Sequence, residues 1–182
     1  MAQSAVPASV VAELVVAARE YLRLQGGVEA ALLTRAAAAA FGLAEAFCGV
    51  AVVRRLHEDV LPATGGWQRL RARPVTAIAG VTALPVAAAP FVLAVDAYAI
   101  DIDADGDGWL QVADAGGAGR VAVDYTAGLA ADWAAVPMPV AQGLVMLVAH
   151  LFEHRDGIAQ PPAAVAALWR PFRRMKLMTA VR

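Results

Sequence analysis

The feature that most constrains this chain is that the spacing of its apolar residues changes twice. In the first fifty residues, and again after residue 131, apolar residues recur every three or four positions, which is typical of amphipathic helices. Between these regions they form short β-branched or aromatic runs separated by Pro and Gly clusters. The sequence therefore predicts an α+β fold: a mostly helical body of about four helices, with a small antiparallel β subdomain inserted between the second and third helices.

These periods divide the chain into four predicted segments. A helical pair occupies 1–50, the inserted β subdomain 51–130, the C-terminal helices that complete the helical body 131–169, and a tail 170–182. The β subdomain begins with an apolar stretch that ends at a Pro-Ala-Thr-Gly-Gly turn signal. Its strands are predicted at 67–72, 75–83, 91–103, 109–113 and 120–125.

Glycine and proline residues mark the ends of the predicted helices. The first helix is expected to begin at Ser9 as its N-cap and to stop at the pair Gly26-Gly27. The second is expected from about residue 28 to 48, where Gly49 occupies the position of a left-handed helix-ending residue. The third is predicted from Pro139, in its first turn, to about residue 155, and the last over 162–169.

Hydrophobic residues make up 60% of the chain, a share that first suggests a membrane protein. Alanine accounts for much of it, and the two longest apolar stretches, 36–53 and 81–100, are interrupted by glutamate, aspartate, glycine or proline. The N-terminus lacks the pattern of a secretory signal. We therefore expect a soluble protein with no membrane partner.

The charge and cysteine content exclude two further classes. The net charge is −1, so the chain has no global basic field of the kind that holds nucleic acid. A single cysteine, Cys48, rules out an intramolecular disulfide, and its apolar neighbours give no reason for a reactive thiol.

The most tempting ligand motif is an aspartate-rich stretch that matches the first half of an EF-hand loop. Its residues are Asp101, Asp103, Asp105, Gly106 and Asp107. An EF-hand needs a bidentate glutamate at position twelve, where this chain has Val112, and it needs helices where this sequence alternates like a strand. A hairpin turn is the favoured interpretation, because Asp and Gly tolerate positive φ. A calcium-binding module remains the alternative.

The second motif is His150, Glu153 and His154, which matches an inverted zinc-hydrolase pattern. Such a site takes its third protein ligand from a later glutamate, and no glutamate follows Glu153. The favoured interpretation is a packed helix end, where polar donors suit the helix dipole. A zinc hydrolase is the less favoured alternative, and we expect no enzymatic activity, no cofactor and no dependence of folding on a divalent metal.

Large apolar and basic residues alternate at the end of the chain in a manner typical of interface cores. We predict that the tail at 170–182 is a docking element, poorly fixed before it binds, with Trp169 and Phe172 as apolar anchors and two arginines at the rim. Nucleic-acid binding and packing within the chain are the alternatives. The predicted interface residues are Trp169, Arg170, Pro171, Phe172, Arg173, Arg174, Met175, Lys176 and Leu177.

Several blocks, in this order, resemble the head–tail connector (adaptor) proteins of tailed phages and gene transfer agents. They are the Phe-Cys-Gly that ends the second helix, Val-Asp-Tyr-Thr-Ala-Gly at 123–128, Pro-x-Pro-Val-x-Gln at 137–142, the block 147–155 with its two histidines, and Trp-Arg-Pro-Phe-Arg-Arg at 169–174. The resemblance covers nearly the whole chain.

This resemblance implies a non-enzymatic ring, usually of twelve subunits, that lies beneath the portal and joins it to the next tail component. It implies that the C-terminal segment contacts the portal protein, that a stopper protein follows on the tail side, and that DNA passes through without specific binding. The expected location is the neck of a virion or gene transfer agent particle. Before assembly, the expected location is the cytoplasm of the producing bacterium. Because the chain is long enough to bury a sufficient core alone, we expect the free protein to be a monomer or weakly associated.

Overall fold

The computed structural model describes residues 5–25, 29–154 and 160–174. Four α-helices and two antiparallel sheets occur in these ranges, which confirms the predicted α+β class. The described residues divide into two compact units, one with residues 5 and 53–129 and one with residues 6–25, 29–52, 130–154 and 160–174. The predictions that concern Gly26, Gly27, Val28, Arg155, Met175, Lys176 and Leu177 lie outside the described residues.

The helical unit is held together by the apolar faces of its helices. The helices are α1 (Ala8–Leu22), α2 (Ala30–Cys48), α3 (Met138–Glu153) and α4 (Ala163–Trp169), followed by a 3₁₀ turn at Arg170–Phe172. α1 contacts both α2 and α3, while α4 packs on α3 and α2. The core of α2 is built from small alanines and two large side chains, Leu33 and Phe41, which are almost fully buried.

The helix ends confirm part of the prediction and correct the rest. Gly49 ends α2 in the left-handed region at φ 70°, and Pro139 lies in the first turn of α3, both as predicted. Ser9 is not the N-cap of α1. That position belongs to Pro7, whose carbonyl already accepts the N–H of Val11. α1 also ends at Leu22, before the glycine pair, because Arg23 takes the left-handed conformation at φ 55°.

Helix α2 is long and apolar enough to cross a membrane by length and composition alone. Core helices of water-soluble folds meet the same criterion. The buried residues of α2 recur at helical spacing, and they lie where α2 contacts α1 and α3. The opposite side is exposed and carries Arg35. α2 is therefore amphipathic, with an alanine-rich face that permits close packing.

The sheet unit contains two small antiparallel sheets. Their strands are β1 (Arg55–Pro62), β2 (Gln68–Arg69), β3 (Val75–Ala83), β4 (Phe91–Val92), β5 (Tyr98–Ile102), β6 (Gly108–Val112) and β7 (Arg120–Ala127). One sheet has the strand order β1-β7-β3-β4 and the other β2-β6-β5. β7 is central in the first sheet, since it pairs along its length with both β1 and β3.

Two predicted strands are shorter in the structure. The run 67–72 contributes only the two residues of β2, and the run 91–103 is divided into β4, a 3₁₀ turn at Val95–Ala97 and β5. The division occurs because the chain leaves the first sheet here. Leu93 enters the core and donates its N–H to the carbonyl of Val81, and the turn then leads into the second sheet. A continuous strand could not pair in both sheets.

A buried polar network joins the strands of the sheet unit around Tyr125. The Tyr125 hydroxyl donates to Oδ2 of Asp59 at 3.0 Å and accepts the N–H of Ala72 at 2.9 Å. The same carboxylate oxygen accepts the N–H of Arg71 at 2.7 Å. Burial raises the pKa of the Tyr125 phenol well above its ordinary value, so the hydroxyl remains a donor. This network fixes the segment between β2 and β3 against β1 and β7.

Candidate partner-binding site

The structure places Trp169, the first of the predicted interface residues, in the core of the helical unit. Its side chain is only 3% exposed, and its indole N–H donates to the carbonyl of Val140 at 3.2 Å. The prediction that Trp169 is an apolar anchor for a partner is therefore wrong in this structure. Its large ring finds enough apolar surface on α3 and α2 to be buried within the chain itself.

A glycine on α3 makes room for this tryptophan. A Cβ atom added at Gly143 would fall 2.8 Å from Cε2 of Trp169 and closer still to its Nε1. Gly143 is therefore required for the close approach of the ring to the helix backbone. On the other side, the rings of Phe47 and Trp169 lie 6.0 Å apart in a tilted arrangement. Trp169 thus connects α4 to the C-terminal end of α2 and to the middle of α3.

The residues that follow Trp169 are attached to the end of α2. The main-chain N–H of Arg174 donates to the carbonyl of Cys48 at 2.8 Å. The guanidinium of Arg173 lies over the Phe47 ring, 5.5 Å from its centroid. α4 ends at Trp169, as predicted for the last helix, and a 3₁₀ turn continues to Phe172 before the backbone becomes extended. Residues 170–174 are therefore held in place in the free chain, contrary to the expectation of a poorly fixed segment.

Although their backbone is held, most of these side chains are exposed. Arg170, Pro171, Arg173 and Arg174 are exposed, and Phe172 is half-buried. This turn presents three cationic groups and a half-buried aromatic ring on one short segment. Of the predicted interface residues, Met175, Lys176 and Leu177 lie outside the described residues.

The distribution of charge along the chain is a signal that the predicted interface did not take into account. The residues after Asp156 contain five basic side chains and no acidic one, which gives a local charge of +5. The first 156 residues carry ten basic and sixteen acidic side chains, a net charge of −6. The near-zero total therefore conceals a basic C-terminal segment on an acidic body. Such a segment is suited to an acidic partner surface.

The aspartate-rich motif forms the turn of the β5–β6 hairpin, as predicted. Asp103 Oδ1 accepts the N–H groups of Asp105 and Asp107, and its Oδ2 accepts the indole N–H of Trp109. Asp107 forms ion pairs at 3.2 Å with Arg69 and Arg73. These carboxylates are thus engaged by donors of the protein itself. No group of three potential metal ligands occurs within 5–25, 29–154 and 160–174, so the calcium alternative gains no support.

The histidine motif lies at the C-terminal end of α3. The rings of His150 and His154 are stacked with centroids 4.4 Å apart, and Nδ1 of His154 lies 3.1 Å from the carbonyl oxygen of His150. Glu153 is the last residue of the helix and its side chain is exposed. No described acidic or cysteine side chain completes a three-ligand cluster with the two rings. The arrangement fits the predicted packed helix end and gives the zinc alternative no third ligand.

Cys48 is buried at the end of α2, where Trp169 covers it. Its Sγ lies 4.0 Å from the carbonyl oxygen of Trp169. Burial raises the pKa of the thiol from 9.0 to about 11. Since the thiolate is the reactive form, this cysteine is a packing residue in the folded protein.

The fold of the whole chain is found in solved structures of gene transfer agent (GTA) particles. No family model and no curated protein matches the sequence. A chain in the neck of an empty GTA particle, computed with C6 symmetry, is 28% identical with a TM-score of 0.77; the match covers 97% of this chain and 96% of that one. A chain in the virion of a native GTA particle is 28% identical with a TM-score of 0.74, and the match covers 98% of this chain and 96% of that one. A chain in the neck of a native GTA particle, computed with C12 symmetry, is 26% identical with a TM-score of 0.75, and the match covers 97% of this chain and 96% of that one.

These matches extend over both units and nearly to both ends of the chain. They agree with the resemblance that was inferred from the order of the sequence blocks. Those blocks lie in helices, a strand and a turn, and they come from both units. The chain has the fold of proteins found in GTA necks, which confirms its resemblance to the head–tail connector (adaptor) family.

Proposed function

We propose that this protein is a structural subunit of the neck of a phage or GTA particle, where it forms a ring under the portal and joins the capsid to the tail. The observation that carries the proposal is the match over 97% of the chain, with a TM-score of 0.77, to a chain in a GTA neck. The match extends over both units, which favours a shared role more strongly than a match over a single domain would. The role is mechanical, so it requires shape and binding surfaces and no catalytic group.

The portal-binding surface in this proposal is the exposed C-terminal turn with the segment that follows it. Arg170, Arg173 and Arg174 are exposed on a backbone that the N–H of Arg174 fixes to α2. A preorganised surface loses less conformational entropy on binding than a flexible one. Trp169 supports this surface from inside the core, and Phe172 is its apolar contact. The +5 charge of the C-terminal segment favours an acidic patch on the portal.

The body of the subunit fits the remainder of the proposal. Sixteen acidic and ten basic side chains in the first 156 residues would repel DNA, so DNA could pass through a ring of such subunits without being held. We propose a dodecamer that contacts the next, stopper-like protein on its tail side. Before assembly the protein would be a cytoplasmic monomer or weakly associated, and the portal would act as the template that raises the local concentration of subunits.

The role itself is tested by deleting the gene in the producing bacterium and examining particles by electron microscopy. We expect DNA-filled heads without tails, and tails attached again when the gene is restored. Tailed particles at normal yield from the deletion strain would overturn the proposal. Purified protein mixed with portal, examined in the same way, would show whether the added ring has twelve subunits.

The portal-binding surface is tested by charge reversal at Arg173 and Arg174 together, R173E/R174E. Both side chains are exposed, so the melting temperature should change little while attachment to DNA-filled heads is lost. R35E, at an exposed arginine of α2, is the matched control and should form tailed particles. A second variant combines Phe172→Ala with deletion of residues 175–182. Normal tail attachment in both test variants would show that another surface binds the portal.

A further inference from the structure

An eleven-residue stretch of the sheet unit, residues 85–95, is exposed although every side chain in it is apolar. It consists only of Pro, Val, Ala, Phe and Leu, and we call it the apolar segment. Val86 is 98% exposed, Val95 80% and Val92 76%. Apolar groups exposed singly are common, but a continuous uncharged run of this length marks an interaction surface.

The apolar segment is held in a defined conformation. Leu93 is its single buried residue, and the N–H of Leu93 donates to the carbonyl of Val81 at 2.9 Å. Just before the segment, the N–H of Leu84 donates to the carbonyl of Arg120 at 2.9 Å. The Phe91 ring packs so closely over Gly116 that a Cβ there would lie 2.9 Å from it. A fixed apolar surface can bind a partner at a small entropic cost.

The position of the apolar segment in the sheet also favours a contact. It contains β4, which is an edge strand because it pairs with β3 and ends the order β1-β7-β3-β4. Edge strands of soluble proteins are commonly protected from association by charged side chains. The apolar segment has no charge that opposes an apolar contact, whereas its two prolines and the shortness of β4 oppose strand pairing, so the contact would be made through side chains.

We infer that the apolar segment packs against a neighbouring copy of this chain. The inference rests on the proposed ring, and it is supported by the C6 and C12 symmetry of the necks that contain chains of this fold. In a ring each subunit presents one surface to the next and receives another in return. Interfaces between copies are more apolar than transient contacts with other proteins, and an uncharged segment matches that composition.

The occupant of this surface can be identified by photocrosslinking. p-Benzoylphenylalanine is placed at Val86 or Val92, and at Met138 as a control that is equally exposed but belongs to the helical unit. Protein labelled with ¹⁵N is mixed with unlabelled protein over a concentration series, with and without purified portal, and irradiated. We expect crosslinked peptides that join a labelled to an unlabelled chain for positions 86 and 92, and far fewer for position 138. The absence of such mixed pairs at every concentration would overturn the inference.

A second measurement uses charge in place of a probe. V86E, V92E and the control M138E are compared with the unaltered protein by sedimentation, with circular dichroism as the test of folding. V86E and V92E should weaken self-association about thirtyfold, the effect of losing one strong interface contact. M138E should not. Equal self-association of all four proteins would contradict the inference.

The two proposals fail in different ways. If mixed crosslinks are absent but tails still depend on the gene, the chain is a neck subunit whose copies meet through another surface. If the crosslinks form but deletion of the gene leaves tailed particles, the apolar segment mediates self-association in a protein with another role. Crosslinks found only to the portal would overturn the inference and show that the apolar segment binds the portal.

Discussion

The two units of this protein are organised by different kinds of interior. In the helical unit, fit between large and small residues dominates, as where Trp169 lies over Gly143 and next to the alanine-rich α2. In the sheet unit, an apolar cluster surrounds buried polar groups, among which Asp59 and Tyr125 connect the strands to the segment between β2 and β3. One interior is specified mainly by shape, the other by shape and by hydrogen bonds.

This difference predicts how each unit responds to substitution. When a buried apolar side chain is truncated, the loss of stability grows with the volume removed, because the surroundings collapse only in part into the cavity. A buried hydrogen bond contributes little net stability while it is intact. If one partner is removed, the buried donor or acceptor that remains unsatisfied lowers stability much more. The helical unit should therefore be most sensitive to changes of size, and the sheet unit to the loss of single polar atoms.

The largest expected effect is that of Trp169→Ala in the helical unit. Removing a buried tryptophan typically costs about 3–5 kcal/mol, and Trp169 is buried beneath the proposed portal-binding turn. Urea unfolding measures the loss. Trp67→Ala, at a tryptophan that is 49% exposed, is the control and should cost far less. If Trp169→Ala left stability unchanged but abolished tail attachment, Trp169 would be a portal anchor, as the sequence first suggested.

Alkaline pH should destabilise the helical unit through Cys48. The thiol has its ordinary pKa of 9.0 when exposed and a pKa of about 11 when buried, so above pH 9 the unfolded chain loses a proton that the folded chain retains. Stability then falls as pH rises through this interval, by up to about 3 kcal/mol over the whole titration at about 1.4 kcal/mol per pKa unit.

Urea unfolding at several pH values tests this dependence, with Cys48→Ala as the variant that lacks the titrating group. The variant should lose the part of the pH dependence that lies between pH 9 and 11. Tyr125 also titrates at alkaline pH, but its ordinary pKa is 10.0 and is raised further by burial, so its contribution begins only above pH 10. An unchanged profile between pH 9 and 10 in Cys48→Ala would contradict the assignment to the thiol.

In the sheet unit, Tyr125→Phe should cost about 1–3 kcal/mol although it removes a single oxygen. Without the hydroxyl, the Ala72 N–H loses its acceptor and Asp59 loses one of its donors. Tyr21→Phe, at a tyrosine that is 53% exposed, should change stability by a few tenths of that amount. Equal effects of the two substitutions, measured by urea unfolding, would mean that the network contributes no more than a surface hydroxyl.

The sequence predicted the fold class and much of the element order because apolar period and turn residues are local signals. The Gly49 end of α2 and the β5–β6 hairpin are examples, since left-handed geometry and Asp-Gly turns depend on neighbours in the chain. The division of 91–103 could not be predicted in this way. It depends on Leu93 entering a core made by distant strands, which no local pattern records.

The candidate site was predicted in part for the same reason. The basic side chains of the C-terminal turn are exposed where sequence composition suggested an interface. Trp169 could not be assigned correctly, because its burial depends on Gly143, twenty-six positions earlier and on another helix. A glycine inside a helical pattern is a signal of close packing, but it does not identify which residue approaches it.

The smallest expected effect concerns the surface of the helical unit, at Arg173. Its guanidinium lies 5.5 Å from the centroid of the Phe47 ring, and cation–π contacts at exposed sites are worth about 0.5–1 kcal/mol. Arg173→Ala should therefore lower stability by no more than that, because Trp169 and the hydrogen bond between the main chains of Arg174 and Cys48 still hold the turn. Arg173→Lys should retain most of the contact, and Arg35→Ala is the control for losing an exposed arginine of α2. A loss above about 2 kcal/mol in Arg173→Ala, several times what an exposed pair contributes, would show that this side chain fixes the turn, and that R173E/R174E alters its conformation as well as its charge.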